Sequence, residues 1–237
     1  MCGRFVRQIF VDAIVDEFGV EEVACDLNPS YNVAPTQQVA VIIEDGVKQL
    51  VSVRWGLVPY WAEDLSGGSK LINARAETIN QKGAFKEAFQ KRRCLVVADG
   101  FYEWRKTGAI REPIFIRLKS GRGFGFAGLY ENWISPGGEN IRTCTIITTE
   151  PNEIMRPIHD RMPVIIPKDQ EDRWLDPDCP DPESLLTLLR PYPAEEMETC
   201  QVSSFVNSPA NDTPECIVPA SSTSSPNLAE PLLPFGD

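Results

Sequence analysis

What this sequence lacks narrows it first. No apolar run approaches the roughly 18 residues that a membrane-spanning helix needs, and the start shows no basic stretch followed by an apolar one. Neither a transmembrane helix nor a signal peptide is expected. The seven cysteines (Cys2, Cys25, Cys94, Cys144, Cys179, Cys200 and Cys216) are odd in number and scattered, with no CxxC pair. That speaks against a disulfide framework or a zinc site, and for a reducing cytosol. A basic surplus is missing as well: the net charge of −11 disfavours avid, non-specific binding to duplex DNA. No internal repeat is visible, and His159 is the single histidine.

The acidic excess is confined to one part of the chain. Residues 1–150 carry 18 Lys and Arg against 18 Asp and Glu, whereas residues 151–237 carry 5 against 16. A locally basic groove therefore remains available in the first two thirds. The 237 residues, 42% of them hydrophobic and 24% charged, suffice for a substantial core in one large domain.

The pattern along the chain reads as short strands with a few helices at irregular intervals. Apolar residues between Ile9 and Phe18 recur at helical spacing, with Gly19 as the stop. Val39–Glu44 and Val47–Trp55 read as strands joined at Asp45-Gly46, a hairpin signal. Residues 31–37 read as an irregular loop and 83–93 as a helix. Cys94–Ala98 fits a buried strand, and further strands are expected near 113–118, 124–130, 141–149 and 164–166. Residues 168–175 and 181–190 look helical. From about Asn207 the chain turns rich in Pro, Ser and Asn, as a poorly ordered tail does. The fold class expected is α+β, with a single domain over 1–206 and an acidic tail over 207–237.

The chemistry gathers at the start. Cys2 is small enough that an initiator Met before it is normally removed, which would leave a free α-amine and a thiol on adjacent carbons. An aldehyde can form a Schiff base with that amine and then take the thiol into a five-membered thiazolidine. The α-amine titrates near ~8 against ~10.4 for lysine, so far more of it is neutral at cell pH. Ring closure is intramolecular, with the effective-molarity advantage that brings. Three further residues stand out. His159, at a loop-to-strand junction, has the one side chain whose ordinary pKa lies near neutrality. Glu103, between Tyr102 and Trp104, would have a raised pKa in a dry site and could shuttle protons. Asn73 is either a turn residue or an orienter of a substrate hydroxyl or carbonyl. A second group, Arg4, Arg54, Arg75 and Arg161 with Pro35, Trp55 and Trp61, has the mix of cations and flat side chains that single-strand binders use.

Seven segments then carry a resemblance: Met1-Cys-Gly-Arg-Phe, Tyr31-Asn-Val-Ala-Pro-Thr-Gln, Arg54-Trp-Gly-Leu-Val-Pro, Asn73-Ala-Arg-Ala-Glu-Thr, Asp99-Gly-Phe-Tyr-Glu-Trp, Thr148-Thr-Glu and His159-Asp-Arg-Met-Pro-Val-Ile. In this order they resemble the motifs of the SOS response-associated peptidase (SRAP) family, from residue 2 to about 206. The resemblance implies a compact fold with a curved, barrel-like, antiparallel or mixed β-sheet core flanked by short helices. It also implies covalent capture of abasic sites in single-stranded DNA through a thiazolidine, without cofactor or metal. By motif match Cys2 forms the crosslink, Asn73 positions the sugar, and Glu103 and His159 handle protons. Arg4, Asn32, Pro35, Arg54, Trp61, Arg75, Thr148, Thr149 and Arg161 are the candidate DNA contacts. The expected partner is abasic single-stranded DNA, with replication-fork proteins as further candidates, no membrane, and a DNA-associated monomer in the cytoplasm. Lyase and autoproteolytic side activities are expected too. Two other readings stay open: a peptidase built on Cys2 and His159, and a non-covalent binder of single-stranded or modified DNA.

Overall fold

The computed structural model describes residues 2–220. The elements in chain order are β1 (Phe5–Arg7), α1 (Val11–Phe18), β2 (Glu22–Val23), β3 (Ser30–Val33), β4 (Gln38–Glu44), β5 (Lys48–Trp55), β6 (Asn73–Arg75), α2 (Gly83–Lys91), β7 (Arg93–Ala98), β8 (Gly100–Thr107), β9 (Ile110–Leu118), β10 (Phe124–Ile134), β11 (Asn140–Thr149), β12 (Met162–Pro163), α3 (Glu171–Leu175) and β13 (Met197–Gln201). Short 3-10 turns fill several of the connections. The class is α+β.

Strand alternation explains the architecture. Strands β5, β4, β7, β10 and β11 pair in that order, all antiparallel. A parallel pairing of Thr143 and Cys144 on β11 with Arg54 and Trp55 on β5 closes them into a five-stranded mixed barrel. Closure removes the exposed edges that an open sheet would leave. Side chains on successive residues point to opposite faces. Val39, Val41 and Ile43 on β4 therefore join Val53 and Trp55 on β5 and Val96 and Ala98 on β7 in one core. Their neighbours Ala40, Ile42, Leu95 and Val97 pack instead against Ile14 and Phe18 of α1, Phe85 and Phe89 of α2, and Trp174 of α3. A second sheet, ordered β13-β9-β8-β1-β3, shares the first core through Phe5, Phe101, Ile114 and Ile116.

Two glycines turn the chain where no other residue would fit easily. Gly19 caps α1 at φ 64°, in the left-handed region, as the sequence pattern led one to expect. Gly56 ends β5 at φ 126°, and a Cβ there would lie 2.8 Å from the carbonyl oxygen of Gly68. That turn carries the chain out of the barrel into the Pro59-Tyr60-Trp61 loop.

Trp55 settles in the core: it is fully buried, its Nε1 donates to the Ile72 carbonyl at 2.9 Å, and its ring lies 5.2 Å from that of Phe5. Trp55→Ala would leave a cavity and remove one of the two hydrogen bonds that the Ile72 carbonyl accepts, the other coming from the Ile146 amide. A loss of about 3–5 kcal/mol is expected, read as a lower denaturant midpoint at unchanged slope.

The structure departs from the expected pattern at several places. Residues 31–33, expected in a loop, belong to β3, which pairs with β1. Residues 164–166 make a single bridge, Ile165 to Phe126, rather than a strand, because Pro163 and Pro167 flank them and lack the donors a ladder needs. Residues 182–188 are 3-10 rather than α-helical. Within the segment read as a tail, Asn211, Asp212 and Cys216 bond to or pack on the domain, and the remainder, 221–237, lies outside the described residues. No helix among the described residues is long and apolar enough to cross a membrane.

Candidate active site

Strand β1 and the residues before it bring the chain's start into the core. Cys2 is fully buried among core side chains, and its carbonyl accepts a hydrogen bond from Asn73 Nδ2 at 2.8 Å. Asn73 opens β6, which runs parallel to β11 with Asn73 opposite Ile146. The other end of the same amide, Oδ1, is buried and accepts no hydrogen bond among the described residues. A buried acceptor in that state costs about 1–3 kcal/mol, so it is a feature to explain by function. A substrate hydroxyl placed there would satisfy it.

Glu103 lies on β8, opposite Ile114 of β9, and is only 3% exposed. Burial raises its pKa from 4.5 to about 7, the amino-terminal ammonium acting more weakly in the opposite direction and Asp160 adding to the rise. The same burial, with Glu103 adding to it, pushes the Cys2 thiol well above its ordinary value. His159 is held below its usual pKa, first by burial and then by the amino-terminal ammonium. Glu103 acts on Cys2, and Asp160 acts on both Glu103 and His159, which links the three in one electrostatic neighbourhood.

The tautomer of His159 follows from its surroundings. Its Nδ1 accepts from the Arg161 amide at 3.0 Å and also lies 2.8 Å from Asp160 Oδ1. The two contacts make opposite demands on Nδ1. The amide proton is fixed by the backbone, whereas the Asp160 side chain is mostly exposed and can rotate into water. The amide therefore decides: neutral His159 carries its proton on Nε2 and presents a donor there.

The candidate DNA contacts divide into two sets. Trp61 is 61% exposed beside an equally exposed Tyr60, Arg75 is exposed, and Pro35 is half-buried. Arg54 donates to the Thr36 carbonyl at 2.7 Å, and Thr36 holds a left-handed φ of 73°, a strained conformation for a β-branched residue. The other set is committed to the protein itself. Arg4 donates to Asn32 Oδ1 and to the carbonyls of Val206 and Asn207. Asn32 is buried and donates to the carbonyls of Val206, Ser208 and Asn211. Thr148 and Thr149 are buried within β11. Arg161 is held in an ion pair with Glu77. Sequence reasoning passed over Glu77 and the exposed Tyr60. The signal for Tyr60 was its adjacency to Trp61; Glu77 lay within a quoted motif, but nothing local pointed to its partner.

The chain has relatives. The family model described as SOS response associated peptidase (SRAP) matches residues 1–209. The chain belongs to the SRAP family. "Abasic site processing protein YoqW" of Bacillus subtilis (strain 168) is 49% identical over 221 residues, which cover 92% of this chain and 99% of that protein. "Abasic site processing protein HMCES" of Gallus gallus is 36% identical, with 81% of this chain and 66% of that protein covered. A crystal structure of a protein from Bacteroides thetaiotaomicron superposes with a TM-score of 0.84 at 28% identity, over 92% of this chain and all of that one. The SRAP match spans every segment that carries Cys2, Asn73, Glu103 and His159.

Proposed function

We propose that this SRAP protein captures abasic sites in single-stranded DNA covalently, through a thiazolidine on Cys2 once Met1 is gone. The observation that carries the reading is the buried arrangement itself: Cys2 is fully buried with its carbonyl held by Asn73, and Glu103 is a carboxyl only 3% exposed whose charge acts on the Cys2 thiol and whose own pKa burial raises.

The residues divide the work as follows. An abasic site is mostly a cyclic hemiacetal. Protonated His159 delivers a proton from Nε2 to the ring oxygen while the C1 hydroxyl gives up its own proton, which restores His159, and the ring opens to the C1 aldehyde. The neutral Cys2 amine adds to C1, giving a carbinolamine whose hydroxyl the vacant Asn73 Oδ1 can accept. Protonated Glu103 delivers the proton with which that hydroxyl leaves as water. The Cys2 thiol then adds to the resulting imine carbon, its proton returning to Glu103. Aldehyde and aminothiol become thiazolidine and one water, and Glu103 ends as it began. A pKa near 7 suits a group that must be an acid in one step and a base in the next.

The raised thiol speaks against the peptidase reading, since a cysteine peptidase needs its thiolate. Interruption at the imine, before the thiol closes, would permit β-elimination and so a lyase side activity. Trp61 and Tyr60 supply flat surfaces for flanking bases, with Arg75 and Arg54 toward the backbone phosphates. Trp61→Ala should weaken binding of single-stranded DNA by about 1–3 kcal/mol, read as fluorescence anisotropy at fixed salt.

The test is denaturing electrophoresis after mixing the protein with single-stranded DNA bearing one abasic site. A heat-stable shifted species is expected, its mass that of DNA plus Met1-free protein less one water. An unshifted wild type would sink the reading.

A further inference from the structure

Arg161 ties several parts of the site together. Its amide fixes His159 Nδ1 at 3.0 Å. Its guanidinium donates to both carboxylate oxygens of Glu77, at 2.6 and 3.0 Å, and to the carbonyl of Thr148 at 2.5 Å. Glu77 lies in the 3-10 turn Ala76–Thr78 that directly follows β6, the strand carrying Asn73. Thr148 is the β11 residue that pairs with Arg75 of β6. A fork-to-fork pair of this kind fixes both distance and orientation. Only 15% of the Arg161 side chain is exposed, and its Nε is buried without a partner among the described residues. An arginine so committed is badly placed to receive a phosphate.

We propose that Glu77 is a positioning residue for the crosslinking reaction: through Arg161 it holds the His159 loop in register with the Asn73 strand. The inference rests on the reading of the site given above, and it replaces a DNA-contact role for Arg161 with a scaffolding one. Glu77 touches neither the His159 ring nor Cys2 in the hydrogen bonds and ion pairs described, so its effect on the reaction must pass through Arg161. Loss of the pair frees the guanidinium to turn toward solvent, and the amide that sets the His159 tautomer moves with it. Because Glu77 is itself half exposed, the pair adds little to global stability.

The experiment is a double-mutant cycle. Glu77→Gln, His159→Gln and the double variant are compared for single-turnover crosslinking at saturating abasic single-stranded DNA. Affinity is measured separately with an oligonucleotide carrying a tetrahydrofuran abasic analogue, which cannot crosslink. Glu77→Gln is expected to slow crosslinking by roughly tenfold, the scale of a misplaced catalytic group, while changing affinity less than about twofold. In the His159→Gln background the same change should cost less than about twofold. Glu77→Asp, which keeps the charge on a shorter stem, should fall between Glu77→Gln and wild type and serves should Glu77→Gln fold poorly. Equal slowing in both backgrounds would overturn the inference, as would weakened affinity at an unchanged saturating rate or no change at all. A wild type that fails to crosslink would instead bring down the reading of the site.

Discussion

Cys2→Ala should abolish the heat-stable DNA adduct, a loss of at least about a hundredfold in yield at fixed time. The thiol is needed because only its addition converts a reversible imine into a ring. The variant keeps its α-amine, however, and alanine is also small enough for Met1 to be removed. It should therefore still form an imine with the abasic aldehyde, and borohydride should trap it. A version with Met1 retained, or with any N-terminal extension, should lose both the heat-stable and the trappable species, because its amine is a peptide nitrogen. The pair of outcomes separates chemistry at the amine from chemistry at the thiol. A peptidase using Cys2 would show the reverse, tolerating the extension and losing all activity with alanine. Adduct formation that survived an N-terminal extension would remove the amine from the mechanism altogether.

How much of this was legible beforehand depended on whether the signal was local. The barrel strands carry their own pattern: Val39, Val41 and Ile43 alternate around Ala40 and Ile42, and Cys94–Ala98 is an uninterrupted apolar run. Both were read as strands and are strands. Strand β3 was read as loop because its stability comes from far away. The amides of Tyr31 and Asn32 are bonded by Asp212, about 180 residues on. The same distance explains Arg4 and Asn32. A basic residue and an amide near the reactive cysteine suggest phosphate contacts, yet carbonyls from residues 206–211 engage both side chains. The 3-10 turn at Pro182–Leu188 has an apolar pattern that a helix could also use. Cys2, Asn73, Glu103 and His159 drew attention because each reactive group sits in a segment whose composition is unusual by itself. Their convergence was not, since it needs β6 beside β11 and β8 beside β1. Glu77, although inside a motif, gave no cue to its partner: an exposed glutamate acquires a role only when its partner is known.

Glu103→Gln should move activity and stability in opposite directions. Gln matches the shape of Glu but neither gives nor takes a proton at neutral pH, so crosslinking should slow by about 10²–10⁴-fold, the usual worth of a positioned acid–base group. The inflection expected of wild type near pH 7 should be absent from the variant's pH–rate profile. Stability follows from the sign of the shift. The folded pKa, about 7, lies above the ordinary 4.5, so the folded chain binds the proton more tightly than the unfolded one. That contribution is fully present below about pH 4.5, declines as pH rises through the folded pKa, and is gone above it. A shift of this size is worth roughly 3 kcal/mol at most. Gln has no such loss, so the variant should gain on wild type between about pH 5 and 7.5 and then hold a constant advantage. Denaturant titrations of both proteins at pH 5, 6, 7 and 8 measure the gap directly. A gap that stayed flat would mean that Glu103 ionises normally, and the dual acid and base role assigned to it would fall. A gap that opened while crosslinking slowed would identify a carboxylate kept in a costly place for its chemistry: sites tuned for reaction are commonly less stable than their inert replacements.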